Sequence, residues 1–237
     1  MKKKAKVKKK FKIKNIIISL ILIIIIGFLG YYILNTRIKN IYVSGNTYLK
    51  EQEIIDLSGI KDYPKRIEVS KNDIKNNLVK SPMIDNVDIS ITLTNKVYIK
   101  INESRPLFFD EYHHKYLLAN GKYIDKIDLI GLPILTSNLD DEMLIRFAKA
   151  FNKVNDDVLN KISEVSYTKT DLDKDRFLLY MNDRIYVYIT LTKIDNLNNY
   201  NEIVKELDGK KGILYLDSGN HFEIKDNIEK EASADTE

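Results

Sequence analysis

The sequence contains no cysteine and only three histidines in 237 residues. Without cysteine, no disulfide can hold a domain together and no thiol can serve as a nucleophile or metal ligand. The common catalytic motifs are also missing, since there is no G-x-S-x-G, no Walker A loop and no H-E-x-x-H. We therefore expect no catalytic, cofactor or metal site, and no enzyme activity.

Two short patterns resemble metal sites but fall short of them. His113 and His114 are adjacent, and adjacent residues of a strand point to opposite faces, so a surface loop is the expected setting. Three alternating aspartates resemble the start of a calcium loop: Asp171, Asp173 and Asp175. That loop needs glycine at its sixth position and glutamate at its twelfth, where this chain has Arg176 and Asn182.

Acidic residues are absent from the first 14 positions, which hold nine lysines. The net charge of +4 comes from 38 basic and 34 acidic residues. Without the nine tail lysines, 29 basic residues face 34 acidic ones, so the remainder carries about −5. A nucleic-acid-binding protein is not indicated by this distribution.

Residues 16–34 form a run of 19 residues without charge, long enough for a transmembrane helix. The lysine-rich tail, residues 1–15, is then predicted to lie in the cytoplasm and everything after the span outside. A cleaved signal peptide is the alternative. It would have a shorter apolar region and a small-residue cleavage site, and neither feature is present.

Residues 37–104 have the order strand, helix, helix, strand, strand. A strand at residues 38–43 ends at a Ser44-Gly45-Asn46 turn. Thr47 is predicted to cap the first helix and Gly59 to end it, and Ser70 is predicted to cap the second. The first strand could be an edge offered to a partner or a purely structural strand.

A hairpin follows these helices. Apolar residues alternate over residues 87–93 and 97–101 around a Thr94-Asn95 turn. Leu93 and Ile99 are expected to face the helices, where Ile74 and Leu78 form an apolar stripe.

Residues 105–224 predict a second α+β unit with a mainly antiparallel sheet. Asp140 is expected to cap an amphipathic helix. Strands at 177–181 and 184–191, a helix at 194–207 and a last strand at 213–216 follow. Residues 225–237 are polar and are expected to be disordered.

Several of these segments resemble the FtsQ/DivIB family of bacterial cell-division proteins. Residues 37–46 are similar to the family's opening strand and turn, which begin a POTRA domain. Glu103-Ser104-Arg105-Pro106 resembles the junction into the family's β domain. Leu132-Pro133-Ile134-Leu135 and Asp217-Ser218-Gly219 resemble later family segments. Thr136-Ser137 departs from the Thr-Gly that many members carry.

The resemblance implies a non-catalytic scaffold of the divisome at the division septum. It would bind FtsL-type and FtsB/DivIC-type single-pass proteins and help regulate septal peptidoglycan synthesis. The alternative is a membrane-anchored POTRA module in secretion or transport, which would normally have several such units and a large β-barrel.

The apolar segment 213–216 is open to two interpretations. It could be a central strand covered on both faces, or an edge strand that accepts a partner strand. The family places its partner near this segment, which favours the edge. The matching candidate partner-binding residues are Tyr215, Leu216, Asp217, Ser218, Gly219 and Phe222.

Overall fold

The computed structural model describes residues 13–225. Of the predicted cytoplasmic tail, residues 1–15, only residues 13–15 are described. Of the expected disordered segment, residues 225–237, only Lys225 is described, and the rest lies outside the described residues. The described chain forms two compact units. One contains the residues up to Lys80 together with Asn86–Asn102, and the other contains Ser81–Asp85 together with the chain from Glu103 onward.

The first unit begins with the helix α1 (Ile13–Asn35), which includes the whole uncharged run. None of its side chains is buried. Among residues 13–225 it is the one helix long and apolar enough to cross a membrane.

The rest of this unit confirms the predicted element order. It consists of β1 (Asn40–Ser44), α2 (Glu51–Ser58), a 3₁₀ helix (Arg66–Glu68), α3 (Lys71–Leu78), β2 (Ile84–Ile91) and β3 (Lys96–Glu103). The three strands form a sheet in the order β1-β3-β2, with β1 parallel to β3. This order is that of the α+β fold expected from the sequence.

The helix ends of the first unit agree with two of the three predictions made for them. Ser70 caps α3, since its hydroxyl accepts a hydrogen bond from the Asp73 backbone N–H at 3.4 Å. Gly59 ends α2 in the left-handed region at φ +79°, where a missing Cβ removes the steric cost. Thr47 does not cap α2, because Asn46 donates to the Leu49 carbonyl in a separate turn and the helix begins only at Glu51.

The hairpin residue Leu93 does not face the helices as predicted. It is 84% exposed, whereas Ile74, Leu78 and Ile99 are buried. Strand β2 ends at Ile91 and Leu93 lies in the following turn, so the apolar alternation continued two residues beyond the strand.

Up to Lys225, the second unit contains nine further strands and three α-helices. The strands of its first half are β4 (Pro106–Asp110), β5 (Lys115–Leu118), β6 (Tyr123–Ile124) and β7 (Ile134–Leu135). The helices α4 (Asp141–Phe151) and α5 (Asp156–Leu159) follow. The second half contains β8 (Ile162–Tyr167), β9 (Arg176–Met181), β10 (Ile185–Thr190), a 3₁₀ helix (Leu191–Asn199), α6 (Tyr200–Glu206), β11 (Gly212–Tyr215) and β12 (His221–Ile224).

These strands form one sheet in the order β12-β11-β10-β9-β8-β7-β4-β5-β6. Five of its eight neighbouring pairs are antiparallel and three are parallel. The mainly antiparallel sheet predicted from the sequence is therefore confirmed.

The core of the second unit lies between one face of this sheet and α4. Asp140 caps α4 as predicted, its carboxylate accepting from the Met143 N–H at 2.8 Å. On the buried side of the helix, the Phe147 ring lies 5.0 Å from both Phe108 of β4 and Phe177 of β9. Such aromatic contacts stabilise beyond the apolar area they bury, and they fix this face of the sheet as the inner one.

Candidate partner-binding edge

The edge of the large sheet is formed by β12 and not by the predicted last strand. Strand β11 pairs with β10 in parallel on one side and with β12 in antiparallel on the other. The interpretation of residues 213–216 as an open edge is therefore wrong. From the sequence, no strand is predicted after residue 216, although polar and apolar residues alternate over residues 221–224.

The turn between β11 and β12 depends on two residues with positive φ. Gly219 has φ +110° and Asn220 has φ +52°, a region in which glycine and asparagine are far less strained than other residues. Gly212 is needed for a different reason, because a Cβ there would lie 2.0 Å from the Glu223 carbonyl oxygen. These residues let β12 fold back closely along β11.

An ion pair holds the start of this turn. The Asp217 carboxylate lies 2.7 Å from the Arg176 Nε of β9, and the Asp217 side chain is almost fully buried. The backbone N–H groups of Leu216 and Asp217 both donate to the Tyr188 carbonyl, at 2.9 and 3.1 Å. The ammonium group of Lys193 also donates to the Asp217 carbonyl. Leu216 and Asp217 therefore position the turn from inside.

The six predicted residues come together at this corner of the sheet in three environments. Leu216 and Asp217 are buried. Tyr215 and Phe222 are half-buried, and Phe222 packs against the core. Ser218 and Gly219 are exposed in the turn. Only the four residues that are not buried can offer side-chain or backbone surface to another molecule. The role of all six residues in binding stays a prediction.

The hydrogen-bonding register of β12 shows which of its backbone groups face outward. The Lys225 N–H donates to the Lys211 carbonyl at 3.2 Å. Because hydrogen-bonded pairs alternate along an antiparallel ladder, the backbone N–H and C=O groups of His221 and Glu223 also point toward β11. Phe222 and Ile224 consequently direct their N–H and C=O groups away from the sheet. Within residues 13–225, no strand lies on that side of β12.

A row of stacked rings crosses the outer face of the sheet beside this edge. The Tyr188 and Tyr215 rings lie 5.5 Å apart, and the Tyr215 and His221 rings lie 4.5 Å apart and nearly parallel. The Arg176 guanidinium lies 3.7 Å from the centre of the Tyr188 ring, a favourable cation–π position. Burial and the hydrogen bond to the Glu223 carboxylate raise the pKa of Tyr215, so it stays a neutral donor.

Sequence reasoning missed Arg176, Tyr188 and His221 as members of this corner. Tyrosine at alternate positions 186 and 188 marks one face of β10, and this signal was available. The ring partner of Tyr188 is Tyr215 of β11, which a 3₁₀ helix and α6 separate from β10 in the chain.

A cavity of about 620 Å³ opens on the same outer face. Its lining is rich in hydroxyl groups and includes Arg176 and Tyr188, so it adjoins the aromatic row. The hydroxyl groups include those of Thr136, Ser166, Tyr167 and Tyr180. A guanidinium surrounded by hydroxyl groups is suited to binding the polar or acidic groups of a ligand.

One of the two adjacent histidines has a carboxylate as its partner. His113 and His114 lie in the turn after β4, as the surface-loop prediction expects. His113 Nδ1 lies 2.9 Å from the buried Asp110 carboxylate, which also accepts from the Tyr123 hydroxyl at 2.5 Å. Burial raises the pKa of Asp110, but the hydrogen bonds from Tyr123 and His113 outweigh it and leave the pKa below its usual value. Residues 13–225 contain no cluster of three potential metal ligands.

Comparison with known proteins gives consistent matches. The family model described as "POTRA domain, FtsQ-type" matches residues 36–104. The cell division protein DivIB of Bacillus subtilis (strain 168) is 29% identical over 245 residues, which cover 99% of this chain and 93% of that protein. The cell division protein DivIB of Listeria monocytogenes serovar 1/2a is 29% identical over 240 residues, covering 96% and 89%.

A solved structure is also similar to part of this chain. It is the major extracytoplasmic domain of the trans isomer of DivIB from Geobacillus stearothermophilus, which is 25% identical with a TM-score of 0.38. The match covers 45% of this chain and 96% of that one.

Proposed function

Because this chain belongs to the FtsQ/DivIB family of bacterial cell-division proteins, we propose that it acts in division as a membrane-anchored scaffold without a catalytic step. Its partners are FtsL-type and FtsB/DivIC-type single-pass proteins at the septum. Through them it helps regulate septal peptidoglycan synthesis. The observation that carries this proposal is the open edge of β12, because an unpaired edge strand is a template for a strand from another chain.

The scaffold is anchored by α1 in the cell membrane. The uncharged run of this helix and the nine lysines before it support a cytoplasmic N-terminus and an extracytoplasmic remainder. This orientation places β12 outside the cell, where single-pass division proteins expose their own outer segments.

The partner adds a strand along β12. Its backbone pairs with the outward N–H and C=O groups of Phe222 and Ile224, and the ladder supplies most of the affinity. On the inner face the partner's alternate side chains meet these two apolar residues. On the outer face they meet Glu223, which favours lysine or arginine at the opposite position of the incoming strand. Ser218 and Gly219 lie at the end of the ladder, where the turn is exposed.

The test is a proline at a position whose N–H faces outward. Proline has no N–H to donate, so Ile224→Pro removes one donor of the intermolecular ladder and leaves the bonds between β11 and β12 in place. We expect binding of the FtsB/DivIC-type protein from the same cell to weaken roughly tenfold, the equivalent of about one hydrogen bond. Binding is measured with both full chains in detergent by surface plasmon resonance.

Ile224→Ala is the matched control. Ile224 is 56% exposed, so this variant loses little packing within the fold and keeps its N–H. It should lose only the side-chain contact with the partner, and therefore less affinity than Ile224→Pro. Both variants must retain the wild-type circular dichroism spectrum. A folded Ile224→Pro protein with wild-type affinity would rule out strand addition at this edge.

A further inference from the structure

The end of α1 is bonded directly to the body of the first unit. The side-chain amide of Asn95, in the turn of the β2–β3 hairpin, donates to the Ile33 carbonyl at 3.2 Å and to the Thr36 hydroxyl. Thr36 in turn donates to the Ile33 carbonyl at 2.7 Å. Asn95 is 2% exposed and adopts φ +59°, a conformation that asparagine tolerates better than most residues.

Backbone bonds reinforce the junction on two sides. The Lys39 N–H donates to the Asn95 carbonyl at 2.9 Å. The Arg66 N–H donates to the Thr36 carbonyl at 2.8 Å, and the Ile38 N–H donates to the Pro64 carbonyl at 2.9 Å. The hairpin turn and the segment of the 3₁₀ helix are therefore both fixed against the end of α1.

Outside α1, those two segments carry the two most exposed large apolar side chains of the described first unit. From residue 36 onward, seven large hydrophobic side chains of the first unit are exposed, and Leu93 at 84% and Ile67 at 61% are the most exposed of them. Leu93 lies in the hairpin turn and Ile67 in the 3₁₀ helix. Single exposed apolar side chains are common on soluble domains, but these two belong to segments bonded to the end of α1.

The depth of these side chains follows from the residues of α1 beside them. Tyr31 and Tyr32 lie on the last turns of the helix, where tyrosine favours the membrane–water interface. The Asn95 amide contacts Ile33, one residue further on. The hairpin turn and the 3₁₀ helix are thus at the level at which the bilayer gives way to water.

The segments that carry or adjoin the two apolar side chains are rich in basic residues. The three segments at the junction, residues 36–39, 63–68 and 92–96, contain five basic residues and one acidic residue, Glu68. The five are Arg37, Lys39, Lys65, Arg66 and Lys96. Apolar side chains inside a basic border are typical of surfaces that lie in the headgroup region of a bilayer.

We propose that Leu93 and Ile67 form a lipid-binding foot that inserts into the outer leaflet at the boundary of headgroups and acyl chains. The inference rests on the proposed membrane anchoring by α1. The foot fixes the orientation of the first unit on the membrane. It adds two lipid contacts beside α1, whereas a single membrane helix can change its tilt in the bilayer and carry the unit with it.

The experiment uses the complete lack of cysteine, which makes any introduced cysteine a unique labelling site. Leu93→Cys and Ile67→Cys are labelled with an environment-sensitive fluorophore in the full chain and reconstituted into vesicles with brominated lipids. Both positions are exposed, so the fold tolerates the label. We expect blue-shifted emission and at least a twofold loss of fluorescence with bromine near the headgroups.

Asn102→Cys is the control within the same unit. Asn102 is exposed on β3, seven residues and about 23 Å along the strand from Asn95, and its label should remain unquenched. A Leu93 label that is not quenched, or an Asn102 label quenched equally, overturns the foot. A Leu93 label that is blue-shifted without quenching would assign the turn to a protein contact and overturn it as well.

A Leu29→Cys label separates this inference from the anchoring it assumes. Leu29 lies within α1 and should be quenched by bromine deep in the acyl chains. Quenching at Leu29 without quenching at Leu93 rejects the foot alone. Absence of quenching at both positions rejects the membrane span and the foot together.

Discussion

At the scale of single residues, Asp217 stabilises the fold at the candidate edge. Its carboxylate is buried against Arg176, which also lies over the Tyr188 ring. Removing one partner of a buried pair leaves the other charge uncompensated and costs roughly 3 kcal/mol. We expect Asp217→Ala to lower the free energy of unfolding by about that amount, measured by denaturant titration of the full chain in detergent.

Asp171→Ala provides the comparison. Asp171 pairs with Lys174 at 3.6 Å on the surface, where both side chains are well solvated, and its removal should leave the unfolding midpoint unchanged. If Asp217→Ala is as stable as Asp171→Ala, the buried ion pair does not hold the turn. If it weakens partner binding at unchanged stability, Asp217 contacts the partner directly.

At the scale of elements, the β2–β3 hairpin separates buried from exposed apolar positions. Ile99 is buried on β3 and Leu93 is exposed in the turn. Truncation of a buried isoleucine leaves a cavity and costs about 2–5 kcal/mol, so Ile99→Ala should lower the melting temperature clearly. Leu93→Ala should not change it in detergent.

Thermal unfolding followed by circular dichroism measures both variants. Equal destabilisation by the two substitutions would mean that Leu93 packs inside the unit, as the apolar alternation alone suggested. That result would also contradict the lipid-binding foot, because the foot needs Leu93 outside the fold.

At the scale of the whole molecule, the charge distribution predicts the topology. Nine lysines precede the uncharged run of α1, and the rest of the first unit and the whole second unit follow it. We expect protease added to wall-stripped cells to digest both units and leave a short membrane-bound fragment that contains the N-terminal tail. Western blotting with a tag at each terminus distinguishes the two ends. Protection of the C-terminal tag in intact cells would reverse the proposed orientation.

The sequence by itself determined the local elements of this protein. The uncharged run, the Ser70 and Asp140 caps and the alternation along β3 each depend on neighbours a few residues away, and the structure confirms them. Local patterns also predict that a segment is helical without predicting which form of helix it adopts. The segment 194–207, predicted as one helix, is the end of a 3₁₀ helix followed by α6, because an apolar stripe can be presented by either form.

Only the tertiary structure decided where the sheet ends and what lies beside that end. The pairing of β11 with β10 and β12, and the ion pair between Arg176 and Asp217, join residues that the periodicity of a single segment does not relate. Leu93 shows the same limit, since the alternation continued into a turn that the end of α1 fixes through Asn95. The physical reason is that side-chain period records which face a residue occupies, whereas the choice of neighbouring strand depends on contacts across the whole fold.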